Sequence, residues 1–229
     1  MIFLNFFRCF FWRRKIKDDI LLVDKPKGMS SFDVIRILRR KLGIRKMGHA
    51  GTLDPLASGL LIVGVEKGTK KLNDYMRLPK TYLMEILLGK QTTTGDMEGE
   101  IIAQKEVGEI DKSEIEKVLK SLQGDIELEA PIYSAIKFKG RPLYDYARKG
   151  IDIGDNSFKR KTKIYKLNLL DSYGEDKYWI LKVEMDCSHG TYARSVAEEI
   201  GRRLGCPATI KELRRTKIGD FLVEKAIKI

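Results

Sequence analysis

Residues 48–65 read GHAGTLDPLASGLLIVGV, a glycine-rich segment that continues directly into an apolar run. The run LLIVGV carries no charge, which predicts a central strand buried on both faces. The segment before it holds three glycines, one histidine (His49) and one carboxylate (Asp54). Many active sites are built from a side chain on an irregular loop that a core strand anchors. The role of a single aspartate in this loop is therefore the first question that the sequence poses.

The residues before this segment predict a strand followed by a capped helix. DILLVDKPKG is typical of a short buried strand that ends in a Pro-Gly turn. In SSFDVIRILRRKLG, Ser30 is followed three positions later by Asp33, apolar residues recur at helical spacing, and Gly43 closes the pattern. We therefore expect an amphipathic helix with arginines on its solvent-facing side.

The residues after the segment mix helices and strands without regular alternation. TKKLNDYMRL, RPLYDYARKG and GTYARSVAEEIGRRLG predict helices, as does SEIEKVLKSLQG, where Ser113 and Glu116 form a capping pattern. KTYLMEILLG, KTKIYKLNLLDSY, KYWILKVEMDC and TIKELRRTKIGDF predict strands. This order favours an α+β fold with a mixed, largely antiparallel β-sheet core flanked by helices and loops.

The charge balance points to a polyanionic partner. The chain has 229 residues, 43% of them hydrophobic, which is enough for one sizeable core. Its 44 Lys and Arg against 32 Asp and Glu give a net charge of +12. The cations form three clusters, at residues 36–46, 159–166 and 202–217. Clustering of this kind favours nucleic acid over a merely soluble basic surface or an acidic membrane surface.

The cysteines and the N-terminal residues indicate the cellular compartment of the protein. Cys9, Cys187 and Cys206 are odd in number and far apart, with no CxxC pair, which disfavours disulfides and zinc and fits a reducing cytoplasm. Residues 1–17 start with an apolar aromatic run that is too short to span a bilayer and that precedes its cations. We expect an appended tail of unknown role, either a membrane-surface element or an artefact of an upstream start codon, and no integral membrane association.

The chemistry open to Asp54 is narrow. Pro55 pushes Asp54 out of the helical region, so its carboxylate stands on irregular backbone. An Asp-Pro step is most often a simple turn. Glycoside hydrolysis usually needs two acids, and metal-assisted hydrolysis needs a ligand cluster, neither of which this segment offers. A lone aspartate can act as a nucleophile or a base if a cation holds it ionised and oriented.

Five blocks, in order, carry a resemblance to a known family. They are LLVDKPKGMSSFDVI, GHAGTLDPLASGLLIVGV, KTYLMEILLGKQTTTGDMEGE, APIYSAIKFKGRPLYDYARKG and CSHGTYARSVAEEIG. From about residue 19 to residue 222 the chain closely resembles the bacterial TruB family of tRNA pseudouridine synthases. An ordered set of blocks is far more specific than any one of them. The resemblance implies a pseudouridine synthase fold and isomerisation of uridine to pseudouridine at position 55, in the tRNA T loop, without cofactor or metal.

The resemblance also implies roles for individual residues. Asp54 matches the catalytic aspartate that attacks the target nucleoside, at the ribose C1′ or by a route through a glycal. Arg194 matches the arginine that pairs with this aspartate, and Tyr82 the tyrosine that stacks on the flipped uracil and assists proton removal. His49, from the loop, matches a residue that enters the T loop and holds the flipped state. Further expected substrate contacts are Tyr192, Leu213, Lys70 and Asp96, the last two with either an RNA-binding or a loop-forming role.

The resemblance leaves some alternatives open. We expect a catalytic domain over residues 18–229 and no C-terminal PUA domain, although bacterial members usually carry one. One alternative is the archaeal and eukaryotic relative that works inside a guide-RNA particle, although the 130–150 block looks bacterial. Another is a tRNA-binding or tRNA-folding protein without catalysis, against which the presence of both Asp54 and Arg194 argues. The expected partner is the tRNA T stem-loop, with no guide RNA.

Overall fold

The computed structural model describes residue 16, residues 19–154 and residues 158–229. The predicted tail over residues 1–17 lies outside the described residues, apart from Ile16. The described residues divide into two compact units, the first formed by those up to residue 83 and by residues 213–229, and the second by those between residues 84 and 212. Within the described residues, no helix combines the length and the apolar character that a membrane span requires.

The first unit is a mixed sheet with a helix against it. Its elements are β1 (Ile20–Lys25), α1 (Ser31–Leu42), β2 (Met47–Ala50), β3 (Ser58–Val65), a 3-10 helix (Glu66–Lys71) that leads into α2 (Leu72–Arg77), and the short strands β13 (Phe221–Leu222) and β14 (Ile227–Lys228). Strand β3 pairs antiparallel with β1 and β2. Strands β4 (Lys80–Leu88) and β12 (Ala208–Ile218) begin in one unit and end in the other. In the first unit β12 pairs in parallel with the start of β3.

Strand β3 is apolar throughout because both of its faces are covered. Leu61, Val63 and Val65 pack with the buried side of α1, and Leu60 and Ile62 lie in a second cluster with Ile218 and Val223. Successive side chains of a strand point to opposite faces, so a strand buried on both sides reads as a continuous apolar run. The predicted central strand is confirmed, and it gives the preceding loop a rigid support.

Within the residues described, the second unit has an antiparallel sheet, two separate two-stranded sheets and helices. It contains β5 (Lys90–Thr92), β6 (Ile101–Gln104), α3 (Lys112–Ser121), β7 (Gly124–Glu129), β8 (Lys137–Phe138), β9 (Arg141–Pro142), α4 (Leu143–Arg148), β10 (Lys159–Glu175), β11 (Tyr178–Cys187) and α5 (Ala193–Arg203). Strand β10 pairs antiparallel with both β11 and β7, and the two-stranded sheets are β5–β6 and β8–β9. The predicted α+β fold with a mixed, largely antiparallel sheet is confirmed.

The two predicted helix caps have different outcomes. Helix α1 begins after Ser30, whose side chain and that of Asp33 form the predicted capping box, and it ends at Gly43 in the left-handed conformation. The predicted cap of the second helix is wrong, because Asp111 and not Ser113 caps α3 and accepts a hydrogen bond from the Ser113 backbone N–H at 2.7 Å. Asp111 accepts as well as a serine does and stands earlier in the chain, so the helix starts two residues sooner.

Candidate active site

Asp54 lies half-buried in the irregular segment between β2 and β3, and the backbone just before it is fixed by a buried serine. Ser31, in the first turn of α1, is 1% exposed. Its hydroxyl accepts from the Leu53 N–H at 2.9 Å and donates to the Leu53 carbonyl at 3.1 Å. One side chain therefore satisfies both backbone groups of the residue that precedes Asp54.

The backbone after Asp54 is fixed as well. The Pro55 carbonyl accepts from the Gly28 N–H at 2.8 Å and from the buried Lys25 ammonium at 3.4 Å. The Asp54 carbonyl accepts from the Ala57 N–H at 3.1 Å and closes a turn. Loops whose backbone groups are bonded to buried side chains have little freedom to move. The carboxylate of Asp54 is therefore presented from a rigid segment.

Arg215, on β12, holds the start of the same loop. Its guanidinium donates to the carbonyls of Gly51 at 3.1 Å, Thr52 at 3.5 Å and Leu60 at 2.8 Å. The side chain is 1% exposed. A buried cation thus lies against the segment that leads to Asp54.

The structure places His49 on strand β2, which corrects the expectation that it lies in a loop. It pairs with Val63 in the β2–β3 ladder and is half-buried. Burial, and then the positive charge of Arg215, hold the pKa of His49 below its usual value. Its Nδ1 atom is buried and has no hydrogen-bond partner within the part of the chain that the structure describes. A neutral imidazole suits contact with RNA better than acid catalysis.

The other expected substrate contacts of the first unit lie on three elements. Tyr82 is on β4 and is 8% exposed, and Leu213 is on β12 and is 7% exposed. These two strands are neighbours in the sheet, joined also by a hydrogen bond from the Thr216 hydroxyl to the Thr81 carbonyl at 3.4 Å. Lys70 is exposed in the 3-10 helix after β3.

In the second unit, Arg194 is held by two carbonyls. It lies in the first turn of α5 and is 5% exposed. Its Nη1 donates to the Thr94 carbonyl at 2.7 Å and its Nη2 to the Tyr133 carbonyl at 2.9 Å. Arg194 is thus not the solvent-facing helix cation that its sequence position would ordinarily indicate. The predicted pairing of Asp54 with Arg194 involves one residue of each unit and stays a prediction.

Asp96 builds the turn that supports Arg194. Its carboxylate accepts from the Thr94 hydroxyl at 2.6 Å and from the Glu98 N–H at 3.1 Å, and the residue is 4% exposed. Gly95 lies between them with a φ of +75°, and a Cβ there would be 3.2 Å from the Cβ of Arg194. Of the two roles open to Asp96, this geometry supports loop structure.

Two further polar residues, Tyr192 and Glu198, lie near Arg194 in the chain. Tyr192 is the half-buried residue that precedes α5. Glu198, one helical turn beyond Arg194, has a pKa raised by burial, against which the charge of Arg194 acts, while Glu129 raises it further. An acid and a cation therefore share this buried side of the helix.

Most cations of the third cluster of the sequence have partners within the protein. Arg202 and Arg203 pair with Glu199, Lys211 pairs with Glu175, and Arg214 forms two hydrogen bonds with Asp24 at 2.8 and 3.0 Å. Arg215 is buried. These five cations have partners or positions that leave them less available to RNA than the sequence indicates. Arg40 and Lys41, in the last turn of α1, are exposed.

Sequence reasoning missed Arg215, Ser31 and Lys25 as supports of the Asp54 loop. Arg215 is part of a visible basic cluster, and alternation in LRRTKI places it on the same face as Leu213, but that pattern does not say which face is buried. Ser31 stands beside a stronger capping candidate. Buried lysines are rare, so Lys25 reads as the polar end of an apolar strand.

Comparisons with known proteins identify the family. A sequence model of the TruB family pseudouridylate synthase N-terminal domain matches residues 39–193, and one of the tRNA pseudouridylate synthase B C-terminal domain matches residues 194–229. The tRNA pseudouridine synthase B of Aromatoleum aromaticum is 42% identical over 95% of this chain and 68% of its own. That of Endomicrobium trichonymphae is 41% identical over 92% of this chain and 89% of its own. That of Geobacillus thermodenitrificans is 44% identical over 93% of this chain and 70% of its own.

Solved structures agree with the sequence comparisons. An H/ACA ribonucleoprotein bound to a substrate RNA containing 2'-deoxyuridine includes a chain that matches with a TM-score of 0.68 and 26% identity, over 94% of this chain and 52% of that one. A chain of an archaeal box H/ACA Nop10-Cbf5 complex matches with a TM-score of 0.66 and 26% identity, over 94% and 53%. This chain spans about half the length of those solved chains. The expected pseudouridine synthase fold is confirmed, and the chain belongs to the TruB family of pseudouridylate synthases.

Proposed function

We propose that this protein converts uridine to pseudouridine at position 55, in the T loop of tRNA, with Asp54 attacking the target nucleoside. The observation that carries the proposal is the place of Asp54, half-buried on a loop whose backbone is fixed on both sides by Ser31, Gly28 and Lys25. A nucleophile held in this way has already lost the freedom that would slow its attack. The proposal is also supported by the relatives reported above, which are named tRNA pseudouridine synthase B.

The reaction replaces the glycosidic bond from C1′ to N1 with a bond from C1′ to C5, and the product has the same atoms as the substrate. The Asp54 carboxylate attacks C1′, or a glycal forms, and the bond from C1′ to N1 of uracil breaks. The uracil turns, and C5 bonds to C1′ as the bond from Asp54 to C1′ breaks or, on the other route, as the glycal takes back its C2′ proton. The C5 proton then leaves and N1 takes up a proton. A single carboxylate suffices because the base stays in the site and no water has to be activated.

We assign Arg194 the role of keeping Asp54 ionised and oriented. The carbonyls of Thr94 and Tyr133 fix the direction of its guanidinium, so the cation would not have to reorganise when the reaction starts. A nearby guanidinium favours the charged form of a carboxylate. Arg194 thereby supplies the cation that a lone catalytic aspartate requires.

The target uridine has to leave its stack before Asp54 can reach it. Extrusion of a base costs about a few kcal/mol, which contacts with the flipped nucleotide and with phosphates offset. We assign Tyr82 to stacking on the uracil and to the last proton transfer, and His49 to holding the opened T loop. Tyr192, Leu213 and Lys70 are proposed to complete the substrate contacts, and the exposed cations of α1 to contact phosphates. Asp96 is proposed to act through the turn that it builds.

We propose further that the protein acts without a guide RNA and in the cytoplasm. The support for the first is the higher identity to tRNA pseudouridine synthase B proteins, 41–44% in the three relatives above, against 26% to chains of H/ACA particles. The support for the second is that the three cysteines of the sequence are far apart and include no CxxC pair. Cysteine usage of this kind fits a reducing compartment.

The test is pseudouridine formation on a defined RNA. Purified protein is incubated with an unmodified T stem-loop and no guide RNA, and pseudouridine is mapped chemically, with the Asp54→Asn variant in parallel. We expect product at the T-loop uridine with the wild-type protein and none with the variant. Binding without product from the wild-type protein would instead support a tRNA-folding role.

A further inference from the structure

Arg215 is an unusual buried cation. It is 1% exposed and is one of the largest fully buried side chains among the described residues. Its three hydrogen bonds go to the carbonyls of Gly51, Thr52 and Leu60. A buried charge normally has an opposite charge as its partner, because hydrogen bonds to neutral acceptors offset only part of the free energy lost on desolvation. Stability alone would favour an apolar side chain of similar size here.

The neighbouring residue on β12 shows what a conventional arginine does in this strand. Arg214 is partly exposed and forms a two-pronged pair with the Asp24 carboxylate, at 2.8 and 3.0 Å. Because successive residues of a strand point to opposite faces, Arg214 and Arg215 share a backbone environment but not a set of partners. Arg214 is therefore a matched comparison for Arg215.

The backbone of Arg215 contacts the other end of the Asp54 loop. It pairs with Gly59 at the start of β3, and a Cβ on Gly59 would be 2.8 Å from the Arg215 nitrogen. The side chain of the same residue reaches back to Gly51 and Thr52. One residue thus fixes both ends of the segment 51–59, in whose middle Asp54 stands.

We propose that Arg215 is a positioning residue for the reaction, which holds the backbone before Asp54 so that the carboxylate meets the flipped nucleotide at the attacking distance. The inference rests on the proposed function. The guanidinium suits this task because its rigid fork presents several donors at once, so one side chain bonds three carbonyls from two segments. A lysine would keep the charge but could not hold the same carbonyls in one plane.

The experiment compares Arg215→Lys with Arg214→Lys under single-turnover conditions on the T stem-loop. We expect Arg215→Lys to lower the rate at saturating enzyme by about 10²-fold, the loss that a misplacement of about 1 Å produces. The enzyme concentration at half-saturation should change by less than about threefold, because RNA contacts are untouched. Arg214→Lys should change the saturating rate by less than about twofold. Single-turnover rates report chemistry even where product release limits turnover.

A second measurement reports the loop without reference to activity. Hydrogen–deuterium exchange of a peptide covering residues 50–57 should become faster in Arg215→Lys and stay unchanged in Arg214→Lys, while the unfolding midpoints of the two variants remain similar. In Arg215→Ala, added guanidinium ion at millimolar concentration should restore part of the rate. If Arg215→Ala does not fold, the exchange and rate data of Arg215→Lys decide the matter.

The outcomes separate this inference from the proposed function. An active wild-type protein whose Arg215→Lys variant keeps its saturating rate would overturn the positioning role alone. Equal losses in Arg215→Lys and Arg214→Lys would do the same, since they would indicate general destabilisation. A wild-type protein that makes no pseudouridine would overturn the proposed function, and the positioning role with it.

Discussion

Asp54 and Asp96 occupy similar stretches of sequence but differ in how their turns are held. Each is an acid in a turn that contains glycine and threonine. The carboxylate of Asp96 is bonded to the Thr94 hydroxyl and the Glu98 N–H within its own turn. Around Asp54, side chains from β1, α1 and β12 hold the backbone. An aspartate that builds its own turn is structural, whereas supports brought from elsewhere fit an aspartate with another task.

The two regions also depend on buried arginines in opposite ways. Arg215 donates to the loop of Asp54 and so positions it, whereas Arg194 receives its own orientation from the Thr94 and Tyr133 carbonyls. In the second unit the turn supports the arginine, and in the first unit the arginine supports the turn. In the proposed function Arg194 pairs with Asp54 itself, so its loss should affect the chemistry more directly than the loss of Arg215.

Apart from the loss of Asp54 itself, the largest expected effect is on turnover in Arg194→Ala. We expect the single-turnover rate to fall by about 10²- to 10³-fold, because a preorganised charge is lost, while the RNA dissociation constant changes by less than about threefold. Arg194→Lys, which keeps the charge, should lose less. An equal fall in rate and in RNA affinity would contradict the role assigned to Arg194.

The next effect is on folding in Gly59→Ala. The added Cβ would contact the Arg215 backbone, at a φ of +105° that favours glycine, so the free energy of unfolding should fall by about 4 kcal/mol. Gly43→Ala is the control, because Gly43 has a similar left-handed φ with open space around it and should cost about 1 kcal/mol. Chemical denaturation measures both variants, and similar losses would refute the close approach of β3 and β12.

A smaller loss of stability is expected in Asp96→Ala. Removal of the carboxylate leaves the Thr94 hydroxyl and the Glu98 N–H with poorer partners, which should lower the free energy of unfolding by about 2 kcal/mol. Pseudouridine formation should fall only modestly at a temperature where the variant is folded. If its rate fell as far as that of an Asp54 variant while its stability was unchanged, Asp96 would be a substrate-binding residue.

The smallest effect concerns the pH dependence of stability through His49. Its pKa is lowered in the folded protein, first by burial and then by Arg215, so the unfolded chain takes up a proton at a higher pH than the folded one. The contribution of His49 is therefore present above the unfolded pKa near 6.5 and is lost as pH falls from that value through the lower folded pKa. The free energy of unfolding is measured for wild type and for His49→Gln between pH 8 and 5.5. Its slope against pH should differ between the two by the equivalent of at most about one proton. Identical slopes would contradict a depressed pKa.

Much of the fold could be predicted because its elements carry local signals. The apolar run of β3 and the Ser30–Gly43 boundaries of α1 depend on neighbours in sequence, and the structure agrees with both. The cap of α3 could not be chosen with certainty, because Asp111 and Ser113 are each followed three residues later by a glutamate, Glu114 and Glu116. When two residues both fit the capping pattern, the local sequence does not show which of them caps the helix.

The site was harder to predict because its supports are distant in sequence. Strand β2 was missed because MGHA carries no clear alternation, and it forms by pairing with β3. Arg215 contacts residues 155 to 164 positions away, and nothing in LRRTKI shows that one arginine is buried and its neighbour paired with Asp24. The residues named by the family resemblance were found because the motif identifies them, whereas the residues that support them carry no such motif.

The most direct test of the account measures two quantities on two variants, pseudouridine formation on the T stem-loop and the free energy of unfolding, for Asp54→Asn and Asp96→Ala. We predict that Asp54→Asn abolishes detectable product and leaves the free energy of unfolding within about 0.5 kcal/mol of wild type. Asp96→Ala should do the reverse, with lower stability and retained product. Product formation at the wild-type rate by Asp54→Asn would contradict the central claim that this carboxylate attacks the nucleoside.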